Sequence, residues 1–338
     1  MNAPPRQTLI RPRPCLLSVV TPALNEEEGL GRLVEEVLAV LPGLADDFEL
    51  IVVDDGSDDG TLALLEEMHA GDSRVRFVSL SRNFGHQAAI LAGMEHAAGD
   101  VVVSMDADLQ HPPELLPEMV DLWRSGYEVV YTIKRGSLQA LSHQRRLAMR
   151  IGYAVLRSVS GMKLQFGQSD FRLLDRVVVD AIVTMPEHDK FLRGLVDWIG
   201  FRQVGLDYEV RPRFAGLEKY TFRQLLRLVT TGVFSFSILP LRLFTVAGVS
   251  IAFLAFTYGL FAVVAGTFAL ITGDTAVSPP GWASIAAAIA FLGGIQLIGI
   301  GLLGEYLGRV YDQTKGRPPY VIRTSSYENA VTPSSGEA

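Results

Sequence analysis

Val101-Val102-Val103-Ser104-Met105-Asp106-Ala107-Asp108-Leu109-Gln110-His111 decides how this chain is read. A short apolar, β-branched run ends in two aspartates separated by one alanine. The run has the composition of a strand buried on both faces. Residues two apart on an extended segment point the same way, so both carboxylates can face one ion. Hard divalent cations such as Mg²⁺ and Mn²⁺ take oxygen ligands and keep positions open for water and phosphate. The competing reading is a pair of turn or capping aspartates ahead of Pro112-Pro113.

Outward from this run, the chain alternates strand and helix. Leu16–Thr21, Glu49–Val53, Val75–Leu80 and Glu128–Tyr131 read as further strands. Glu27–Leu41, Thr61–His69, Gln87–Ala97 and Pro113–Arg124 read as helices, the first with Leu30, Leu33, Val34, Val37, Leu38 and Leu41 on one side. This alternation predicts an α/β fold with a parallel sheet covered on both faces. Ligands in such sheets bind beyond the carboxyl ends of the strands. Three strands end in polar sequence: Pro22-Ala23-Leu24-Asn25-Glu26, Asp54-Asp55-Gly56-Ser57 and Asp106-Ala107-Asp108. All three belong on one edge of the sheet. Farther on, Arg145–Val159 reads as a basic helix and Phe191–Ile199 as a short amphipathic one, with Gln168-Ser169-Asp170-Phe171-Arg172 between them in a loop-to-strand context.

The 338 residues carry a net charge of −7, which gives a nucleic-acid partner no global electrostatic support. A single cysteine, Cys15, excludes an internal disulfide and suits a reducing compartment. Residues 1–14 lack the apolar core of a signal peptide and read as a disordered tail. The Ser/Glu/Pro-rich end, from about Thr324 to Ala338, reads the same way.

The last third differs from the rest. Leu243–Ile271 and Trp282–Leu303 contain no charged residue, and each is long enough to span a hydrocarbon core of ~30 Å. Two buried helices of a soluble domain are the alternative. Arg223, Arg227 and Arg242 precede the pair and Arg309, Lys315 and Arg317 follow it, while the link holds Asp274 and no Lys or Arg. The positive-inside rule then places both termini and the α/β domain on the cytoplasmic side. Phe222–Phe236 has the pattern of a helix lying in the membrane interface. Arg211 to Arg242 holds six basic residues and one acid, a surface suited to anionic headgroups or a lipid phosphate.

At the strand ends, Asp54 and Asp55 can accept bonds from a ribose hydroxyl or a base N–H, while Asp58 and Asp59 fit a turn and the cap of the next helix. Asn25 reads as an N-cap with Glu28 in the capping-box position, which leaves Glu26 near the edge pocket. Arg82, after a strand, can reach a diphosphate or sit solvated on the surface. Gln110 can orient water or phosphate, and His111 fits a loop position equally well. Asp170 can be a general base, a sugar-hydroxyl acceptor or a structural partner of Arg172.

These motifs together resemble a known family. Val19-Val20-Thr21-Pro22-Ala23-Leu24-Asn25-Glu26, Val52-Val53-Asp54-Asp55-Gly56-Ser57 and Asp106-Ala107-Asp108-Leu109-Gln110-His111 resemble family 2 glycosyltransferases of the GT-A fold. Ser81-Arg82-Asn83-Phe84-Gly85-His86-Gln87, Gln168-Ser169-Asp170-Phe171-Arg172, Phe191-Leu192-Arg193-Gly194 and the two spans resemble the polyprenyl-phosphate branch, which includes dolichyl-phosphate mannose synthase and bactoprenol glucosyltransferases.

The resemblance covers about Leu16 to Tyr320. It implies inverting transfer of a sugar from a nucleotide diphosphate to a polyprenyl phosphate of undecaprenyl type at the cytoplasmic membrane. Carried over residue by residue, Pro22, Leu24, Glu26, Asp54 and Asp55 hold the nucleotide, with Arg82 reaching its diphosphate. Asp106, Asp108 and Gln110 hold Mg²⁺ or Mn²⁺. Asp108 and Asp170 are the catalytic candidates. Lys134, Arg135, Arg145, Arg146, Arg213 and Lys219 are candidates for the acceptor or leaving phosphate.

The family's Gly-x-Ser/Thr-Lys stretch reads Gly216-Leu217-Glu218-Lys219 here, with Glu218 in place of a small hydroxyl residue. The implied layout is a GT-A domain over 15–215, a basic juxtamembrane segment over 216–242, spans at 243–271 and 282–303, and a cytoplasmic tail over 304–338. Glucose from UDP-glucose is the favoured donor; mannose, galactose, an N-acetylhexosamine or a modified pentose stay open, as does a homo-oligomeric state. A processive polysaccharide synthase is the nearest enzymatic rival, but its Gln-x-x-Arg-Trp pentad is absent from the sequence. A membrane-anchored nucleotide-binding scaffold without turnover is the non-enzymatic one.

Overall fold

The computed structural model describes residues 11–135, 167–187, 190–209, 239–272 and 282–327. They form two units, one holding the sheet with the C-terminal segment, the other the two long apolar helices.

In the first unit, β1 (Leu16–Ala23), β2 (Asp47–Asp54), β3 (Val75–Leu80), β4 (Val101–Ser104), β5 (Val129–Lys134), β6 (Gln168–Asp175), β7 (Gln203–Tyr208) and β8 (Ile322–Ser325) make one sheet in the order β7-β5-β6-β4-β1-β2-β3-β8. β1 to β4 are mutually parallel, as are β5 and β7, whereas β6 runs against β4 and β5, and β8 against β3. The helices are α1 (Glu27–Val40), α2 (Thr61–Gly71), α3 (His86–His96), α4 (Leu116–Arg124), α5 (Arg176–Val183) and α6 (Leu192–Ile199). Successive strand residues face opposite sides. Leu17, Val19, Val52 and Val103 therefore pack with Leu30, Leu33 and Val37 of α1 on one face. Val20, Ile51, Val53 and Val102 pack with Ile90 and Leu91 of α3 on the other. Burial on both faces is why these strands read as continuous apolar runs. At Gly93 of α3 an added Cβ would overlap the Val20 side chain, so the helix lies close on β1.

The order places β2 on one side of β1 and β4 on the other. The connections diverge there, and a crevice opens at the carboxyl ends of β1 and β4. Antiparallel β6 starts at that same edge, so Ser169 and Asp170 enter beside Asp106.

Three local expectations change. The structure ends the N-terminal tail earlier than residue 14: the Arg11 N–H donates to Arg124 O at 2.8 Å, and its guanidinium pairs with Asp175 at 2.6 Å and Glu128 at 3.3 Å. Ion pairs across more than a hundred residues leave no local trace in composition. Instead of disorder from about Thr324, β8 pairs with β3, and Tyr320 before it is buried. Instead of capping α1, Asn25 takes a left-handed φ of 55° and its side chain accepts the Asp58 N–H at 2.9 Å, tying the first loop to the second. Asp59 does hold the start of α2, accepting the Thr61 N–H at 3.0 Å.

The second unit holds α7 (Leu239–Thr272) and α8 (Trp282–Thr314), both long and apolar enough to cross a membrane. α8 continues past Leu303 into a charged end where Glu305 pairs with Arg309 at 3.3 Å. Phe253, Phe256, Ile271 and Leu297 are exposed. Apolar side chains exposed around a long helix suit lipid rather than water. Gly299 lies against the Phe244 ring, a small residue letting the helices approach. The predicted helices over 145–159 and 222–236 lie outside the described residues.

Candidate active site

An open cleft of about 360 Å³ lies at the carboxyl edge of β1, β2 and β4. Pro22, Leu24, Glu26, Asp55, Asp106 and Asp108, all expected from sequence to meet a ligand, line it. Asn83, Gly85 and His86 line it as well.

Asp54 and Asp55 part company. Asp54 is fully buried, and its oxygens accept from Ser57 N at 2.8 Å and Ser79 Oγ at 2.6 Å. It braces the turn after β2 and does not reach the cleft, because it is still in register as a strand residue opposite Ser79. Asp55 has left the strand. Its two oxygens accept from Phe84 N at 2.7 Å and Gly85 N at 2.9 Å, which fixes the Ser81–Gly85 loop across the cleft wall. Burial pushes the Asp55 carboxyl above its ordinary value, against those two amides. Gly56 follows with φ +73°, so close to Arg82 that an added Cβ would fall 2.4 Å from its carbonyl carbon.

On the opposite side, Asp106 Oδ1 is buried and accepts no hydrogen bond among the described residues; His86 Nε2 lies 3.3 Å from it as a charge partner. The Asp106 backbone N–H donates to His111 Nδ1 at 3.0 Å, so the His111 proton sits on Nε2, which faces Ser169 Oγ at 2.8 Å. His111 is fully buried and stacks on Phe171. Burial holds its imidazole below the ordinary value; Lys134 acts in the same direction, against Asp106 and Asp108. It is thus a neutral prop beneath the aspartate pair. Asp108 Oδ1 accepts the Gln110 N–H at 3.1 Å across Leu109, whose left-handed φ of 58° is rare for a branched residue. The backbone is bent there to present both carboxylates. Gln110 contributes its backbone to this turn and is not among the residues that line the cleft.

This donor set fits a hard divalent cation: two carboxylates, one with an unsatisfied buried oxygen, open onto the cleft. Among the described residues no group of three or more His, Cys, Asp or Glu side chains gathers to form an all-protein cage. A partial shell of this kind leaves positions for substrate oxygens.

Asp170 is buried, gripped by Arg193 through Nε at 2.8 Å and Nη2 at 2.5 Å, and by Arg172 Nη2 at 2.9 Å. His86 Nε2 stands 3.7 Å away. Burial alone would raise this carboxyl, but the charges of Arg193 and Arg172 and the contact with His86 hold it well below the carboxylate range. A carboxylate so stabilised is a poor proton acceptor. His86 shows the converse: burial lowers it, yet Asp170 and Asp106 outweigh this and raise it. Burial also draws the Arg172 guanidinium down to about 10, leaving it charged at neutral pH.

Of the expected phosphate contacts, Lys134 lies at the end of β5 near His111, and Arg135 pairs with exposed Asp207 at 3.3 Å. Arg82 stacks on Phe84, 3.9 Å from the ring centroid, outside the residues lining the cleft. Arg145, Arg146, Arg213 and Lys219 lie outside the described residues. His86, His111 and Arg193 sat in the motifs quoted from the sequence without a role of their own. Only His111 carried a local signal, standing three residues after Asp108.

The model of the family described as Glycosyl transferase family 2 matches residues 18–183, which span the cleft and Asp170. A glycosyltransferase of Synechocystis sp. is 42% identical over 306 residues, covering 90% of this chain and 94% of that protein. The SfII prophage-derived bactoprenol glucosyl transferase of Shigella flexneri is 34% identical over 313 residues, covering 93% of this chain and 99% of that protein. Among solved structures, glucosyl-3-phosphoglycerate synthase from Mycobacterium tuberculosis, in complex with Mn²⁺, UDP and glucosyl-3-phosphoglycerate, aligns with 65% of this chain and 79% of its own at 23% identity, with a TM-score of 0.42. With relatives of this identity matched over nearly their full length, and its strand-end aspartates gathered in one cleft, the chain belongs to the family 2 glycosyltransferases.

Proposed function

We propose that this enzyme transfers a glucosyl group from UDP-glucose to a polyprenyl phosphate of undecaprenyl type, with inversion, at the cytoplasmic face of a membrane. The observation that carries the reading is the cleft with Asp106 and Asp108 on one wall and Asp55 bracing the other. The bactoprenol glucosyl transferases, matched over 98–99% of their length, support the sugar and the lipid. The two apolar helices support the membrane.

Asp106 and Asp108 would hold Mg²⁺ or Mn²⁺, which supplies charge neutralisation for a departing diphosphate. Pro22, Leu24, Glu26 and Asp55 form the walls for the nucleotide. The acceptor phosphate is anionic near pH 7, so the reaction needs no strong base. That matches Asp170, whose carboxylate is committed to two arginines. Asp170 then orders Arg193 and His86 beside the reacting centre rather than taking a proton. Lys134 and Arg135, with Arg145, Arg146, Arg213 and Lys219, remain candidates for the acceptor phosphate, and a homo-oligomer is compatible with the reading.

The test is a panel of nucleotide sugars with membranes holding the full chain and undecaprenyl phosphate, scored for labelled lipid. UDP-glucose should label the lipid best. Labelling by another donor alone would replace the sugar, and labelling by none would remove the proposal.

A further inference from the structure

The segment that follows α8 returns to the sheet and grips one piece of the cleft wall at both ends. The piece is Ser81–His96: the loop after β3, with Asn83 and Gly85, followed by α3, which His86 opens. At its first end, Ser81 N donates to Val321 O at 2.8 Å, and Arg323 Nη2 donates to Ser81 O at 3.0 Å. β8 continues this contact along β3, pairing Ser79 with Thr324 and Val78 with Ser325. At the far end, the Tyr320 hydroxyl donates to the carboxylate of Glu95 on α3. Tyr320 is 1% exposed and packs in the core beneath α3. Burial keeps its hydroxyl protonated, able to donate, well above the pH of the cell.

None of these contacts touches the ligand space; they meet Ser81 and Glu95, which flank the lining residues Asn83, Gly85 and His86 in the chain. The rest of the wall is fixed from other directions: Asp55 holds Phe84 and Gly85 from the β2 side. The C-terminal segment holds the root of the loop and the end of the helix. A part-buried bond from a buried tyrosine to one end of a helix sets where the other end lies, because the helix moves as a unit.

We propose that Tyr320 is a positioning residue for the donor cleft, acting through Glu95 and α3, together with β8 at Ser81, to fix Asn83, Gly85 and His86. This rests on reading the cleft as the nucleotide-sugar site.

The experiment compares the full-length wild type with Tyr320→Phe and Glu95→Gln in the membrane-reconstituted protein. It measures amide exchange over residues 82–86, UDP affinity with Mn²⁺, and steady-state turnover. A control is Trp123→Phe, which removes the 2.7 Å bond to Asp175 at the opposite edge of the sheet. Expected for Tyr320→Phe are faster exchange over 82–86 and a rise in UDP dissociation constant and donor KM on the order of tenfold, with kcat within about twofold. Glu95→Gln should shift the same quantities in the same direction, and it decides the matter if Tyr320→Phe does not fold. Unchanged exchange and affinity would overturn the proposal. So would equal changes in Trp123→Phe at a matched loss of thermal stability. If the wild type binds no UDP, the donor reading fails, while the exchange comparison still decides the role of Tyr320.

Discussion

Arg193 on α6 holds Asp170 on β6 with both arms of its fork, Nε on Oδ1 at 2.8 Å and Nη2 on Oδ2 at 2.5 Å. Such a bidentate pair fixes geometry as well as charge. Arg193→Ala should therefore lower kcat on the order of 10²-fold by letting Asp170 and His86 drift, and Arg193→Lys should recover part of it. Single-turnover kinetics with saturating donor checks this. Equal activity in the alanine variant would mean that the pair plays no part in turnover.

The same pair makes a pH prediction. Asp170 is held well below its unfolded value, so its contribution to stability is present above the ordinary carboxylate range. It is lost as pH falls through that range toward the folded value. Removing Arg193 raises the folded value, so the contribution becomes smaller and its loss is complete at a higher pH. Thermal melts between about pH 3 and 7 should show Arg193→Ala converging on the wild type at the acid end.

His111 supports Asp106 through its backbone N–H, from a position with no access to ligand. His111→Phe keeps the stack on Phe171 and deletes both ring bonds. Affinity for Mn²⁺ in the presence of UDP should fall about 10–100-fold, the usual cost of losing such a support. Titration calorimetry or Mn²⁺ spin resonance reads this directly, and an unchanged affinity would show that the aspartate loop holds itself.

Gly56→Ala places a methyl group against the Arg82 backbone at a residue with φ +73°. The backbone there cannot yield without moving the Ser81–Gly85 loop. The conformational strain alone is about 1–3 kcal/mol. For a domain of this size that amounts to a melting-temperature loss of about 2–4 °C per kcal/mol. A scanning melt of the variant that matches the wild type would contradict this account of the loop.

Chelation provides a separate check. EDTA should abolish turnover, and excess Mg²⁺ or Mn²⁺ should restore it, because the described residues offer carboxylates without a closed cage. Full turnover in EDTA would remove the ion from the reaction.

The strands of the parallel half were legible because each is buried on both faces and so reads as an unbroken apolar run. The cleft was legible for the same reason: three such runs end in polar residues, and parallel strands bring their ends to one edge. What stayed hidden depends on contacts between distant residues. Asp54 and Asp55 are alike in sequence, and only the pairing of Asp54 with Ser79 keeps one of them inside the sheet. β8 has four residues in a Ser-rich stretch, and its partner β3 lies some 240 residues earlier, as in the Arg323 to Ser81 bond with its separation of 242. The link from Arg193 to Asp170 joins a helix to a strand across 23 residues, which no local periodicity records.

In the proposed reaction Asp106 and Asp108 would present an ion to a nucleotide sugar whose glycosyl group passes to a polyprenyl phosphate. The most direct measurement incubates reconstituted full-length protein with radiolabelled UDP-glucose, undecaprenyl phosphate and Mg²⁺ or Mn²⁺, and counts label extracted with the lipid. The wild type should yield labelled lipid, and Asp108→Asn should lose at least about 10³-fold. Undiminished labelling in Asp108→Asn would remove the ion site from the proposed reaction.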